Sequence, residues 1–182
     1  MSRLPSKLAS GGAGYTLVEL VTVLATLGIV LGAITTVFVR ATGAEVDANS
    51  RFQAQQGALV ALARLRRDVH CATSITPVGA AAAITLSLPS ACVAGGAVSW
   101  CTVASGSQYD LYRAPGSTCN AATGVRIAEQ LTSATPFSYV APVSGTSLGV
   151  LHVDLALNAR ALRSADAYEL RDDIVLRNTT RT

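Results

Sequence analysis

Hydrophobic and polar positions change their pattern three times along the chain. Residues 1–14 are polar and short, with Arg3 and Lys7 as positive charges, no acidic residue, and a Gly11-Gly12-Ala13-Gly14 end. Residues 20–39 are twenty consecutive uncharged, mostly apolar positions. As a helix rising ~1.5 Å per residue they span ~30 Å, the thickness of a bilayer's hydrocarbon core, so the pattern predicts a membrane-crossing helix. Helical periodicity continues beyond it. Phe52, Leu59, Leu62, Leu65 and Val69 recur at spacings that share one face, while Glu45, Asn49, Gln53, Gln56, Arg64 and Asp68 populate the others. A helix from Tyr15 to about Cys71 would be ~85 Å long. No domain of this size buries all of that, so the first half needs lipid or other subunits and the second half offers a stripe for a sheet to cover.

After Thr73 short β-rich runs alternate with Gly, Ser, Pro and Asn. Predicted strands are 83–88, 98–103, 109–113, 125–131, 137–140, 150–157 and 168–176. The clearest is 150–157, where odd positions are consistently apolar. Ala104-Ser105-Gly106-Ser107-Gln108 reads as a hairpin connection. The expected fold class is therefore α+β: a long N-terminal helix, membrane-spanning in its first half, packed by its second half on a C-terminal antiparallel β-sheet. The corresponding segments are a leader over 1–14, a transmembrane helix over 15–39, an amphipathic continuation over 40–71 and an extracytoplasmic β-rich domain over 72–182.

Composition sharpens this picture in two ways. Half of the residues are hydrophobic but aromatics are only 5% and charged residues 14%, so the hydrophobicity comes from Ala, Val, Leu and Ile, and part of it belongs in lipid or a helix bundle. The formal charge of +3 is small and includes Arg3 and Lys7, which leaves no specific signal for nucleic acid. Those two charges favour a cytoplasmic N-terminal flank, a bias that Arg40 on the far side weakens.

One residue conflicts with a plain anchor. Glu19 sits at the edge of the apolar run, five residues after Gly14. A lone carboxylate entering hydrocarbon costs on the order of 2–3 kcal/mol, so an acidic residue there normally has a partner. A cut after Gly14 would give Tyr15 a free amine, about one helical turn from Glu19.

Gly14-Tyr15-Thr16-Leu17-Val18-Glu19, followed by an unbroken apolar segment, resembles the cleavage and methylation motif of type IV prepilins. The resemblance implies that a membrane prepilin peptidase cuts after Gly14 on the cytoplasmic side and methylates the new N-terminus at Tyr15, which stands where the family usually has phenylalanine. It implies that Glu19 pairs with the terminal amine of a neighbouring subunit during assembly. Gly28 and Gly32 form a GxxxG spacing, which lets membrane helices approach closely. Major pilins often carry a mid-segment proline, whereas this chain has none between Pro5 and Pro77, which leans toward a minor subunit. Leu65-Arg66-Arg67-Asp68-Val69, Tyr109-Asp110-Leu111-Tyr112-Arg113 and Val175-Leu176-Arg177-Asn178 are similar to patterns in the J-class minor pseudopilins of type II secretion and related minor pilins. They do not choose among type IV pili, secretion pseudopili and DNA-uptake pseudopili.

All four cysteines, Cys71, Cys92, Cys101 and Cys119, follow the membrane run, and an extracytoplasmic location makes disulfides the leading reading. Cys101 and Cys119 flank the hairpin, which favours that pair and leaves Cys71 to meet Cys92. No Cys-x-x-Cys or paired His spacing supports a metal site, and neither His70 nor His152 is assigned to one. Gly145-Thr146-Ser147-Leu148-Gly149 matches the GxSxG pattern of hydrolases, but a strand follows it and no acidic residue lies between it and His152, the only later histidine, so it reads as a loop. Asp166, Glu169, Asp172 and Asp173 raise calcium as the one cofactor to consider, against a solvated acidic turn. Asn178-Thr179-Thr180 fits a glycosylation pattern, which the bacterial origin implied by the prepilin resemblance makes uninformative.

The expected function is a non-enzymatic minor pilin or pseudopilin subunit. It would be held in the bacterial inner membrane as a single-pass protein with its C-terminal domain outside, then moved into a cell-surface or periplasmic filament. The expected partners are other pilin subunits, prepilin peptidase, the inner-membrane assembly platform and membrane lipid. Rivals are a filament-tip adhesin, a DNA-uptake pseudopilin and a signal-anchored or secreted protein. Ala41-Thr42-Gly43 could serve the last as a signal-peptidase site, although the apolar run exceeds the ~7–15 residues of a usual signal core.

Overall fold

The computed structural model describes residues 14–92, 96–119, 121–144, 146–160 and 167–178. Among the described residues one helix, α1 (Leu17–Cys71), is followed by nine strands: β1 (Ser74–Thr76), β2 (Gly79–Ala81), β3 (Ala83–Leu88), β4 (Gly96–Ser105), β5 (Gln108–Pro115), β6 (Val125–Leu131), β7 (Phe137–Val140), β8 (Val150–Asn158) and β9 (Ala167–Val175). Internal contacts divide the chain into two units, Met1–Val46 and Asp47–Thr182.

From Leu17 to Val46 the first unit is a bare helix. Thr16 begins it: its carbonyl accepts from the Leu20 N–H at 3.1 Å, and its Oγ1 accepts from the Glu19 N–H at 3.3 Å. That is the N-cap geometry, which satisfies one of the helix's orphan donors. Every described residue up to Val46 is exposed, including Leu24, Leu27, Ile29, Val30, Leu31 and Ile34. Threonine hydroxyls inside the apolar stretch donate to the helix's own carbonyls, Thr22 to Glu19, Thr35 to Leu31 and Thr36 to Ala33 among them. The stretch therefore keeps those hydroxyls bonded without water, as a lipid environment requires.

In the second unit the strands form one antiparallel sheet in the order β1-β3-β4-β5-β6-β8-β7-β2, with β9 paired to β8. Hairpin β4–β5 turns at Gly106, whose positive φ of 64° suits a residue without Cβ. The helix buries Ala58, Ala61, Leu62, Leu65 and Val69 in a single core with Ile84, Leu86, Trp100, Leu111, Leu131, Phe137, Leu151 and Leu155. Small residues let it come close: a Cβ on Gly57 would lie 3.7 Å from the Ile127 carbonyl oxygen on β6.

The buried stripe differs from the one expected. Leu62, Leu65 and Val69 are buried as anticipated, but Phe52 is 58% and Leu59 46% exposed, and Ala58 and Ala61 take their place. At ~100° per residue, Phe52 and Leu59 lie about 100° or more from the stripe's centre. The near approach to β6 favours alanine there over larger side chains.

Disulfides join Cys71 to Cys92, with Cα atoms 6.4 Å apart, and Cys101 to Cys119, at 6.1 Å. This is the pairing favoured from the hairpin. The first ties the end of α1 to the β3–β4 connection; the second ties β4 to the segment after β5.

Candidate functional site

Two regions carry the residues singled out in the sequence. The first is the start of α1. Gly14, Tyr15 and Thr16 are non-helical and exposed, and Glu19 occupies the first helical turn. Thr16 and Glu19 stand in the Thr-x-x-Glu spacing of a capping box, a local signal that the reading of the cleavage motif passed over. It starts the helix immediately after Tyr15 and sets a carboxylate at the helix's positive end, where the macrodipole favours it. The rest of the expected leader, residues 1–13, lies outside the described residues.

Within α1 an 18-residue window reaches a mean hydropathy of 2.4, which by length and composition is enough to cross a membrane. Glu19 is the only charged residue from Tyr15 to Val39. Gly28 and Gly32 have open space where a Cβ would sit, so a second helix could approach along that face.

The second region is the far end of α1, where the three softer motifs converge. Asp68, from the Leu65–Val69 run, accepts from Trp100 Nε1 at 3.0 Å and from Arg113 Nε at 2.7 Å. Trp100 and Arg113 are register partners on β4 and β5, so a single carboxylate fastens the helix to two neighbouring strands. Arg66 donates to Asp172 on β9 at 2.6 Å. Hydrogen bonding to Arg66 holds the Asp172 carboxyl below its ordinary range, while the same bond raises the guanidinium. Asn178, from the last motif, donates through Nδ2 to the carbonyls of His70 at 3.0 Å and Cys71 at 3.4 Å. It thereby satisfies carbonyls that the helix end leaves open. These motifs build the joint between helix and sheet.

The remaining candidates resolve into structure. Asp172 and Asp173 lie on strand β9, within the predicted strand 168–176 and not in the acidic turn weighed against calcium, and each has a side-chain partner: Arg66 for Asp172, and the His152 imidazole for Asp173 at 2.6 Å. Glu169 pairs with Arg171. Asp166 lies outside the described residues, and among those described no cluster of three metal-ligating side chains occurs. His152 sits on the exposed face of β8, whose odd positions Leu151, Val153, Leu155 and Leu157 are buried. In the GxSxG stretch Gly145 is outside the described residues, and Ser147 bridges back to Val143 just before β8. The second glycine has a packing role, since a Cβ at Gly149 would come within 2.8 Å of Tyr139 Oη. Thr179 and Thr180 are likewise outside the described residues.

No protein-family model, curated protein or solved structure matches this chain.

Proposed function

We propose that this chain is a structural assembly subunit of the type IV pilin kind, minor rather than major, processed after Gly14 and built into a pilus or pseudopilus. The observation that carries the reading is the state of α1's first half. Its apolar side chains point outward along the whole stretch, and a single charge, Glu19, stands one turn from the proposed new terminus at Tyr15. A segment of this kind is stable in lipid or against other apolar helices, so it can exchange one environment for the other at little cost. An amine supplied by a neighbouring subunit would neutralise Glu19 only at the correct axial position. Such a pair specifies register more than it adds bulk stability.

The globular unit supports the minor-subunit reading through the three motifs at its helix–sheet joint, which resemble those of J-class pseudopilins. In this reading the chain resides first in the inner membrane with the β-rich unit outside. It meets prepilin peptidase there, then leaves lipid under the action of the assembly platform. It catalyses nothing.

Glu19→Ala tests the role of the carboxylate. Processing at Gly14 should proceed as in the native chain, while recovery in sheared or purified filaments should fall several-fold. Incorporation at the native level would remove Glu19 from assembly.

A further inference from the structure

At the end of α1 a groove of about 530 Å³ opens between the helix, the β3–β4 connection and β5. Three arginines, Arg64, Arg67 and Arg113, line it, and the one carboxylate present, Asp68, is already engaged by Arg113 and Trp100. Arg64 and Arg67 have no ion-pair partner among the described residues, in contrast to Arg66 between them, which is held by Asp172. They stand three residues apart on the helix, so their side chains are neighbours and their like charges repel. An anion in the groove would relieve that repulsion.

We propose that this groove is a docking site for an acidic peptide segment of a neighbouring protein subunit. The inference rests on the assembly reading and names the chemistry of one of its contacts. Cationic excess supplies the attraction, since paired guanidiniums suit carboxylates through charge-assisted, fork-like hydrogen bonds. The other wall is apolar: Leu88, Ala91 and the Cys71–Cys92 disulfide offer a surface for the aliphatic stems of glutamate. A single nucleic-acid strand would need an aromatic platform for its bases, and no aromatic side chain lines the groove among the described residues. Part of the wall is set before any partner arrives, because the disulfide holds Cys92 against the end of α1 and Asp68 holds Arg113. Preorganisation of this kind lowers the entropy cost of binding.

The test uses the full chain in non-ionic detergent and a fluorescent peptide of alternating glutamate and alanine, with a glutamine–alanine peptide as control. Native protein should bind the glutamate peptide and not the control. Arg64→Gln/Arg67→Gln should weaken binding by about tenfold or more, as the loss of charge-assisted contacts implies, while Arg177→Gln should leave it unchanged. Equal binding by the double variant and the native chain overturns the proposal. So does full competition by inorganic phosphate at the peptide's own concentration, which would make the groove a small-anion site. The double variant is also followed in cells: it should mature to a Tyr15 start and unfold at the native temperature, yet reach filaments several-fold less. A mature terminus other than Tyr15 in the native protein sinks the assembly reading, whatever the peptide does.

Discussion

Leu27 and Leu65 are the same residue on the same helix, yet Leu27 is 50% exposed and Leu65 is 1% exposed. Among the described residues of the unit Met1–Val46, apolar side chains point outward and Glu19 has no ion-pair partner. In the unit Asp47–Thr182 the apolar side chains meet one another, and most of the charges do too: Asp68 with Arg113, Asp110 with Arg126, Arg66 with Asp172, Arg160 with Asp47. One unit satisfies itself and the other needs surroundings that the chain does not provide. Helical periodicity alone does not separate them. The absence of charged residues over a bilayer's thickness does.

The sharpest way to break that contrast is to truncate both leucines. Leu65→Ala should destabilise the β-rich unit by about 2–5 kcal/mol, the usual range for emptying a core site, whereas Leu27→Ala should change it by less than about 0.5 kcal/mol. Chemical denaturation monitored by Trp100 fluorescence reads both. A comparable loss at Leu27 would mean that the first half of α1 also belongs to a folded core.

A smaller effect is expected at the helix–sheet joint. Asp68→Asn removes the charge that Arg113 faces and weakens the bond from Trp100 Nε1, for an expected loss of about 1–3 kcal/mol. An unchanged denaturation midpoint would show that apolar packing alone seats the helix.

The smallest is at Asp172, whose partner Arg66 is half exposed and screened by solvent. Asp172→Asn should cost less than about 1 kcal/mol. Its signature is in the pH dependence. Because the folded carboxyl titrates below the ordinary value of about 3.9, its contribution is complete above that pH and is lost as pH falls through the folded value. The native chain should therefore lose more stability than Asp172→Asn as pH drops below about 4. Parallel curves for the two proteins would place the acid sensitivity elsewhere.

Much of this architecture was legible because its signals are local. The apolar run predicted the first half of α1, and alternation marked β3 through β9, with ends shifted by no more than two residues in β4, β5, β8 and β9. Strands β1 and β2 escaped: each has three residues, too few to show alternation, and they flank Pro77. The helix's buried face was partly misread because bulky Phe52 and Leu59 attract more notice in a pattern than Ala58 and Ala61, while the close sheet prefers the small residues. At the start of α1, Thr16 carried a readable capping signal three residues before Glu19. The pairs Asp68–Arg113 and Arg66–Asp172 join residues 45 and 106 positions apart, and no local pattern announces such partners.

The central claim is that the apolar helix begins life behind a leader that is removed at Gly14. Mass spectrometry of the mature N-terminus from membrane fractions, with and without the host's prepilin peptidase, tests it most directly. The account predicts a peptidase-dependent start at Tyr15, methylated or not; a start at Ala44 or an intact Met1 would contradict it and return the chain to the secreted or anchored alternatives.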